Sequence, residues 1–391
     1  MRILFTFVGG SGHFHPLTPI ARAAAAAGHE VAFSCEPVMA ATVAAAGFAT
    51  FPAGLDYDEE LERQPLLALD SDREDQAVRE SFARRRAPLR ADGLLPLCAA
   101  WRPDLLVCEE LDFGGMAAAE LLGLPYACVL VIAAGRLVRP ELIADPLAAL
   151  RADRGLPPDP ELAMLRRYLV LSPFPPSFRP PELPPPPTLH ALSPLLPEAV
   201  GPPPPWLDGL AGDGAAPLVY FTLGTVFNME SGDLFGRVLA GLRGLPINLL
   251  VTVGPHIDPA EFGPQPANVR IERYVPQGLV LPRCAAVVSH GGSGSVIGAL
   301  AHGLPAVLLP MGADQPHNAD RCVVLGVAVA LDPVAATPAE VAAAVSAVLD
   351  DPSYRRRARL LRAEIAALPG PEHAVALLER LAAERRPILA G

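Results

Sequence analysis

The sequence predicts an α/β protein made of two similar halves, each a parallel sheet wound with helices. Two observations carry that prediction. Short β-rich runs alternate with Ala/Leu-rich helical runs, and the alternation starts afresh after a long proline-rich stretch. In the first half, Arg2–Val8 reads as a buried strand, Leu17–Ala27 as a helix ended by Gly28, Val31–Cys35 as a strand and Val38–Ala46 as a helix ended by Gly47. Asp104–Cys108, a helix to Leu122 ended by Gly123, and Tyr126–Ile132 repeat the scheme. Between Pro173 and Pro217 lie 16 prolines, which supply neither sheet donors nor helix interiors, so this stretch reads as a partly extended connection. Strands then follow at Leu218–Thr222, Asn248–Val253, Ala286–Ser289, Ala306–Leu309 and Val327–Leu331, with helices near Asp233–Leu242, Gly294–His302 and Pro316–Leu325. Glu372–Arg386 carries Ala374, Leu377, Leu378 and Leu381 on one face and reads as an amphipathic helix. Leu55–Arg90 and Pro140–Arg167 do not fit the alternation and read as helical excursions or acceptor loops.

Composition narrows the function. The 391 residues are 51% hydrophobic and carry a net charge of −11, which suits a globular chain with two or three cores and excludes disordered and fibrous classes. All 31 basic residues are Arg, a bias read as codon usage. An acidic balance argues against nucleic acid as a partner. The first apolar run is too short for a signal peptide, and no run of about 18 uninterrupted apolar residues follows, so a cytoplasmic protein with no membrane partner is expected. Six scattered cysteines contain no C-x-x-C pair, and Cys35, Cys108 and Cys128 read as buried thiols.

Four segments carry candidate chemistry. The first strand ends in Val8-Gly9-Gly10-Ser11-Gly12-His13-Phe14-His15-Pro16, where glycines bring backbone N–H groups to a helix start and His13 is placed for proton transfer. A dinucleotide fingerprint would need glycine at position 15, which is His15, so a nicotinamide enzyme is the weaker reading. After the strand Asp104–Cys108 come Glu109, Glu110 and Asp112, any of which can orient an imidazole; acids at a helix start also occur for dipole reasons alone. Ser289-His290-Gly291-Gly292-Ser293-Gly294-Ser295 follows a strand and opens a helix, a cradle for phosphate or diphosphate lacking the Gly-Lys-Ser/Thr of a P-loop. Gly312-Ala313-Asp314-Gln315-Pro316-His317-Asn318 repeats that placement one strand later, with a carboxylate and an amide suited to vicinal hydroxyls. Asp56-Tyr57-Asp58 and Asp70-Ser71-Asp72 match Asp-x-Asp but lie in a charged, surface-like run, and His13-x-His15 lacks further ligands at recognisable spacing, so no metal site is expected.

Gly12-His13-x-His15-Pro16-Leu17, Tyr274-Val275-Pro276-Gln277, His290 to Ser295 and Ala313-Asp314-Gln315 together resemble the bacterial natural-product glycosyltransferases, which are inverting, metal-independent enzymes of the GT-B fold. The resemblance spans the chain and is strongest from Leu218 to Leu331. It implies two Rossmann-like domains with sheets facing across a cleft: residues 1–200 for the acceptor, 201–216 as the end of the linker, 217–371 for the nucleotide-sugar, and 372–391 as a C-terminal helix that can cross back. It implies His13 as the base and Glu109 as its carboxylate partner, with Glu110 a competitor for that place. Gly10, Ser11 and Gly12 then form the acceptor loop; Gly224, Thr225, His290, Gly292, Ser293, Gly294 and Ser295 bind diphosphate; Tyr274, Val275 and Gln277 meet the nucleobase and ribose; Asp314 and Gln315 meet the sugar. Plant relatives carry a ribose-binding Glu where this chain has Gly298, which tilts the donor from a UDP-sugar toward a dTDP-sugar. The resemblance implies that this co-substrate is the only cofactor, that the acceptor is a small lipophilic polyketide or related aglycone, and that the chain is a monomer or homodimer. An NDP-sugar hydrolase or epimerase of the same fold, and a silent sugar-nucleotide binder, are the rival readings.

Overall fold

The computed structural model describes residues 1–57, 62–194, 202–211, 215–225 and 227–390, and Asp58 of the first Asp-x-Asp match lies outside them. Parallel pairing dominates: among the described residues every strand pair is parallel. The chain forms two units, one of Met1–Glu59, Ser71–Leu195 and Leu368–Gly391, the other of Glu60–Asp70 and Leu196–Ala367.

The first unit holds seven strands: β1 (Arg2–Thr6), β2 (Glu30–Cys35), β3 (Ala49–Pro52), β4 (Leu105–Glu109), β5 (Tyr126–Val129), β6 (Leu169–Ser172) and β7 (Leu189–Ala191), in the order 3-2-1-4-5-6-7. Because side chains alternate across a strand, β1 sends Ile3 and Phe5 to one face and Leu4 to the other. One face packs beneath the helices Ala87–Trp101 and Phe113–Leu121, the other beneath Thr18–Ala26 and the C-terminal helix Pro371–Glu384. The crossing back expected of the C-terminal helix is thus realised. Leu377, Leu378 and Leu381 join the core around Phe5 and Phe33, and the segment is fixed by backbone bonds from Ser193 to Pro369, Ile388 to Tyr168 and Ala390 to Pro187.

The second unit holds β8 (Leu218–Thr222), β9 (Asn248–Thr252), β10 (Val269–Glu272), β11 (Cys284–Ser289), β12 (Ala306–Leu308) and β13 (Ala328–Ala330), in the order 10-9-8-11-12-13. Phe221 and Val219 face one core, Tyr220 and Leu218 the other.

One region differs from the sequence reading, and two resolve the alternatives it left open. The proline-rich stretch is only partly a connection: β7 closes the first sheet directly after Pro184–Pro187, because Leu189–Ala191 contains no proline and can pair with β6. Leu55–Arg90 divides. Glu60–Asp70 joins the second unit, where Gln64 donates its backbone N–H to Met229 at 2.7 Å, and Ser71–Arg86 is helical in the first. Pro140–Arg167 contains a helix, Pro140–Asp153, that starts on its proline.

If the C-terminal helix is an integral layer of the first core, Leu378→Ala, at a fully buried position, will cost about 2–5 kcal/mol, read as a lowered urea midpoint with no change in m.

Candidate active site

Both sheets reverse their strand order at one place, and loops leaving the carboxyl ends of strands there are where ligands bind in open α/β sheets. In the first unit the reversal lies between β1 and β4. The turn after β1 carries His13, in a short helical turn Ser11–Phe14 begun at Gly10. Phe14 fixes this turn: it is buried against Phe7 and Phe33, with ring centroids 5.5 and 5.3 Å away. Gly12 is exposed, as a loop offered to a ligand must be.

Glu109, the last residue of β4, lies with its Oε2 3.3 Å from His13 Nδ1. Its carboxylate is fully buried, whereas the His13 side chain keeps 24% of its surface exposed. Burying a carboxylate demands donors, and the Val8 N–H (3.4 Å) and the Leu111 N–H (2.9 Å) supply them. Glu110 points elsewhere: its Oε2 accepts from the N–H groups of Val131 and Ile132 at 3.0 and 3.1 Å. Burial pushes the Glu110 carboxyl up to about 7, against the lowering effect of those two donors. Asp112 caps the helix Phe113–Leu121 through Gly115 N–H and pairs with the fully buried Arg90 at 3.0 Å. The three acids beyond β4 therefore have three separate tasks, and only Glu109 meets the imidazole.

In the second unit the reversal lies between β8 and β11, where Thr222 and Ser289 are paired. His290 follows β11 and is buried in a fold of two glycine turns. Gly224 has φ +74°, and a Cβ there would stand 2.7 Å from His290 Cε1. Burial pushes the imidazole down to about 4, so at neutral pH His290 is an uncharged hydrogen-bonding group. Gly292, which has no side chain to cap with, begins the helix Ser293–Ala301, and the positive end of the helix dipole there favours an anion. Gly294 is exposed at that start and Ser295 partly so; Thr225 is exposed beyond β8.

The third loop, after β12, is tied to the second. Ser293 Oγ donates to Asp314 Oδ2 at 2.5 Å, and buried Asn318 donates to Asp314 Oδ2, Ser293 Oγ and the Gly291 carbonyl. Gln315 Oε1 accepts from Met311 and Gly312 N–H, holding a turn in which Ala313 adopts a φ of +51°. The Ser293 hydroxyl and the Gln315 carbonyl therefore hold the loops. Val275 likewise turns its side chain into the core, while Tyr274 beside it is 71% exposed and Gln277 opens the turn that follows. Among the described residues no group of three or more His, Cys, Asp or Glu is arranged to hold a metal ion, and no helix is long and apolar enough to cross a membrane. Asp72 of the second Asp-x-Asp match is an exposed residue in the first turn of Ser71–Gln76.

Comparison with known proteins gives the geometry its family. The family models described as Erythromycin biosynthesis protein CIII-like match twice, the N-terminal domain over residues 22–183 and the C-terminal domain over 239–381. The 10-deoxymethynolide desosaminyltransferase of Streptomyces venezuelae is 30% identical over 99% of this chain and 98% of its own. This chain belongs to the erythromycin CIII-like glycosyltransferases. The L-demethylnoviosyl transferase of Streptomyces niveus is 31% identical over 99% of each chain. Among solved structures, the spinosyn rhamnosyltransferase SpnG superposes with a TM-score of 0.81 at 26% identity, over 97% of this chain and 100% of that one. The two-sheet architecture of this glycosyltransferase is the GT-B fold that the sequence resemblance implied.

Sequence reasoning missed Glu36, Arg86, Arg90 and Phe82, which come together only through tertiary contacts. Asn318 lay within the segment it singled out, four residues after Asp314 on one helix face.

Two predictions test this glycosyltransferase's loops. Glu110 binds its proton more tightly folded than unfolded, so between about pH 4.5 and 7 the native state holds more protons and its stability falls as pH rises. Glu110→Gln keeps an oxygen for the two N–H donors and removes the charge, so its stability relative to the parent will rise between pH 5 and 8, by up to about 3 kcal/mol in urea titrations. Gly224→Ala forces a side chain into a left-handed backbone against His290, and will lower the urea-derived stability by about 1–3 kcal/mol.

Proposed function

We propose that this glycosyltransferase moves a deoxysugar from a dTDP-sugar, with UDP-sugars second, onto the hydroxyl of a small lipophilic aglycone of polyketide or macrolide type. It inverts the anomeric centre and needs no metal ion. The observation that carries the reading is the pair formed by partly exposed His13 and fully buried Glu109 at the strand-order reversal of the first sheet.

In this mechanism the acceptor hydroxyl gives its proton to His13 Nε2 while its oxygen attacks the anomeric carbon from the side opposite the leaving group. One C–O bond forms as the bond to the diphosphate breaks, which inverts the configuration. Glu109 holds Nδ1 as the donor partner and stabilises the imidazolium that forms. Negative charge develops on the departing diphosphate, and the second unit answers it with the uncapped start of Ser293–Ala301 and the neutral His290. The stabilisation comes from oriented dipoles, which is what a donor released as an intact diphosphate needs.

Substrate classes come from the relatives. The Streptomyces venezuelae relative transfers a desosaminyl group and the Streptomyces niveus relative an L-demethylnoviosyl group, and SpnG has been solved with thymidine diphosphate and with spinosyn aglycone. Tyr274 offers an exposed ring for a nucleobase, and Gly298 offers no side chain to a ribose 2′-hydroxyl, both consistent with a thymidine donor.

His13→Ala will lower transfer by about 10²–10⁴-fold while thymidine diphosphate still binds in calorimetry, with or without EDTA. NMR of the parent's product will give the inverted anomer. Free sugar in place of a glycoside would turn the reading to a hydrolase, and normal turnover of His13→Ala would remove the base from its role.

A further inference from the structure

The helix covering His13 is not an α-helix. From Ala77 to Arg86 it is wound as a π-helix, and the Ala87 N–H closes onto the Phe82 carbonyl, five residues back. Such turns are rare and collect at functional sites. Here two of its side chains converge on the turn that carries the base. The Phe82 ring lies nearly parallel to the His13 imidazole, with centroids 5.9 Å apart and planes 25° from each other. Arg86 packs its guanidinium against the rings of both Phe82 and Tyr57, at 5.3 Å from each centroid, bonds the Ser81 hydroxyl, and donates from Nε to Glu36 Oε1 at 2.8 Å.

Glu36 stands at the end of β2 with its side chain fully buried. A buried ion pair is often no more stabilising than an apolar pair of the same volume, so its value is better sought in direction. Glu36 divides its oxygens: Oε1 takes Arg86, and Oε2 takes the Gly9 N–H at 3.1 Å. Gly9 has φ +75°, and a Cβ there would stand 3.2 Å from His13 Cδ2, so the ring rests close to that backbone. The imidazole is thus located by three parts: Glu109 at Nδ1, the Gly9 backbone that Glu36 holds, and the ring of Phe82 that Arg86 holds.

We propose that Phe82 and Arg86 are positioning residues for the catalytic base, the π-helix serving to carry a ring onto the imidazole and a guanidinium onto the carboxylate that anchors its turn. The proposal rests on His13 being the base, and it extends the carboxylate–imidazole pair to a second, aromatic support. Errors of about 1 Å in a reacting group cost up to 10²-fold in rate, so loosening one of several supports is expected to cost about tenfold.

The experiment compares Phe82→Leu, Phe82→Tyr and Arg86→Met in the full chain, with two readouts. In steady-state transfer, Phe82→Leu and Arg86→Met will lower kcat about tenfold with the donor KM unchanged, and Phe82→Tyr, which restores a ring, will keep the parent's kcat. Independently of turnover, diethylpyrocarbonate will acylate His13 several-fold faster in Phe82→Leu and Arg86→Met, measured by peptide mass spectrometry against the exposed His256 of the second unit as internal reference. Raised acceptor KM at unchanged kcat and acylation would overturn the proposal and make Phe82 a wall of the acceptor site. Equal acylation rates in all variants would overturn it whatever the activity. Faster acylation in a chain whose parent transfers no sugar would uphold the positioning and discard the base. Arg86→Met keeps the test open if Phe82→Leu fails to fold.

Discussion

Parallel pairing with one reversal of strand order is the constraint on which each half of this protein depends. In an all-parallel sheet every strand must be followed by a crossover, and the crossovers turn from one face to the other where the order reverses. At that place two neighbouring loops diverge, and the space outside them is lined by backbone N–H groups and helix starts. The first sheet uses the place for His13 and Glu109, leaving β1 and β4; the second uses it for Gly224 and His290, leaving β8 and β11. One topological device thus gathers an imidazole–carboxylate pair in one unit and a glycine-lined helix start in the other, and the difference lies in a few loop residues.

Charge is handled differently at the two places. Around the first sheet's edge charged groups are buried with partners: Glu109 beside His13, Glu36 with Arg86, Arg90 with Asp112. These pairs fix directions, since a half-satisfied buried charge costs several kcal/mol and a satisfied one tolerates few alternative arrangements. At the second edge burial leaves His290 uncharged, and attraction for an anion falls to the helix start and the glycine turns. A cationic imidazole there would hold any anion equally at every stage, whereas dipoles set in place can act on a negative charge as it grows.

How much of this was legible in the sequence depended on range. β8, the His290 cradle and the C-terminal helix could be read because they rest on local patterns: apolar runs, glycine at helix ends, a repeat of Leu and Ala at helical spacing; the Gly224 turn came only through the family resemblance. The short strands β3, β6, β7 and β10 escaped because runs of three or four residues carry little periodicity, and β7 was hidden behind prolines that lie just outside it. The competition between Glu109 and Glu110 could not be decided locally either. Adjacent residues at a strand end point to opposite sides, and which side holds the imidazole depends on β1, about a hundred residues earlier. Ser293, Val275 and Gln315 fit the family's pattern while turning their side chains to loop and core contacts, a distinction that only packing makes.

The return of residues 368–390 to the first core sets an order of assembly. The second unit, apart from its Glu60–Asp70 segment, is one continuous stretch enclosed between parts of the first. On the ribosome it leaves the exit tunnel while the sheet that carries His13 still lacks the layer supplied by Pro371–Glu384. Until those residues emerge, apolar surface around Ile3, Phe5 and Ala21 stays uncovered, so the half made first is finished last. A shortened chain would therefore hold a nearly complete second unit and an open first core, a species suited to capture by chaperones.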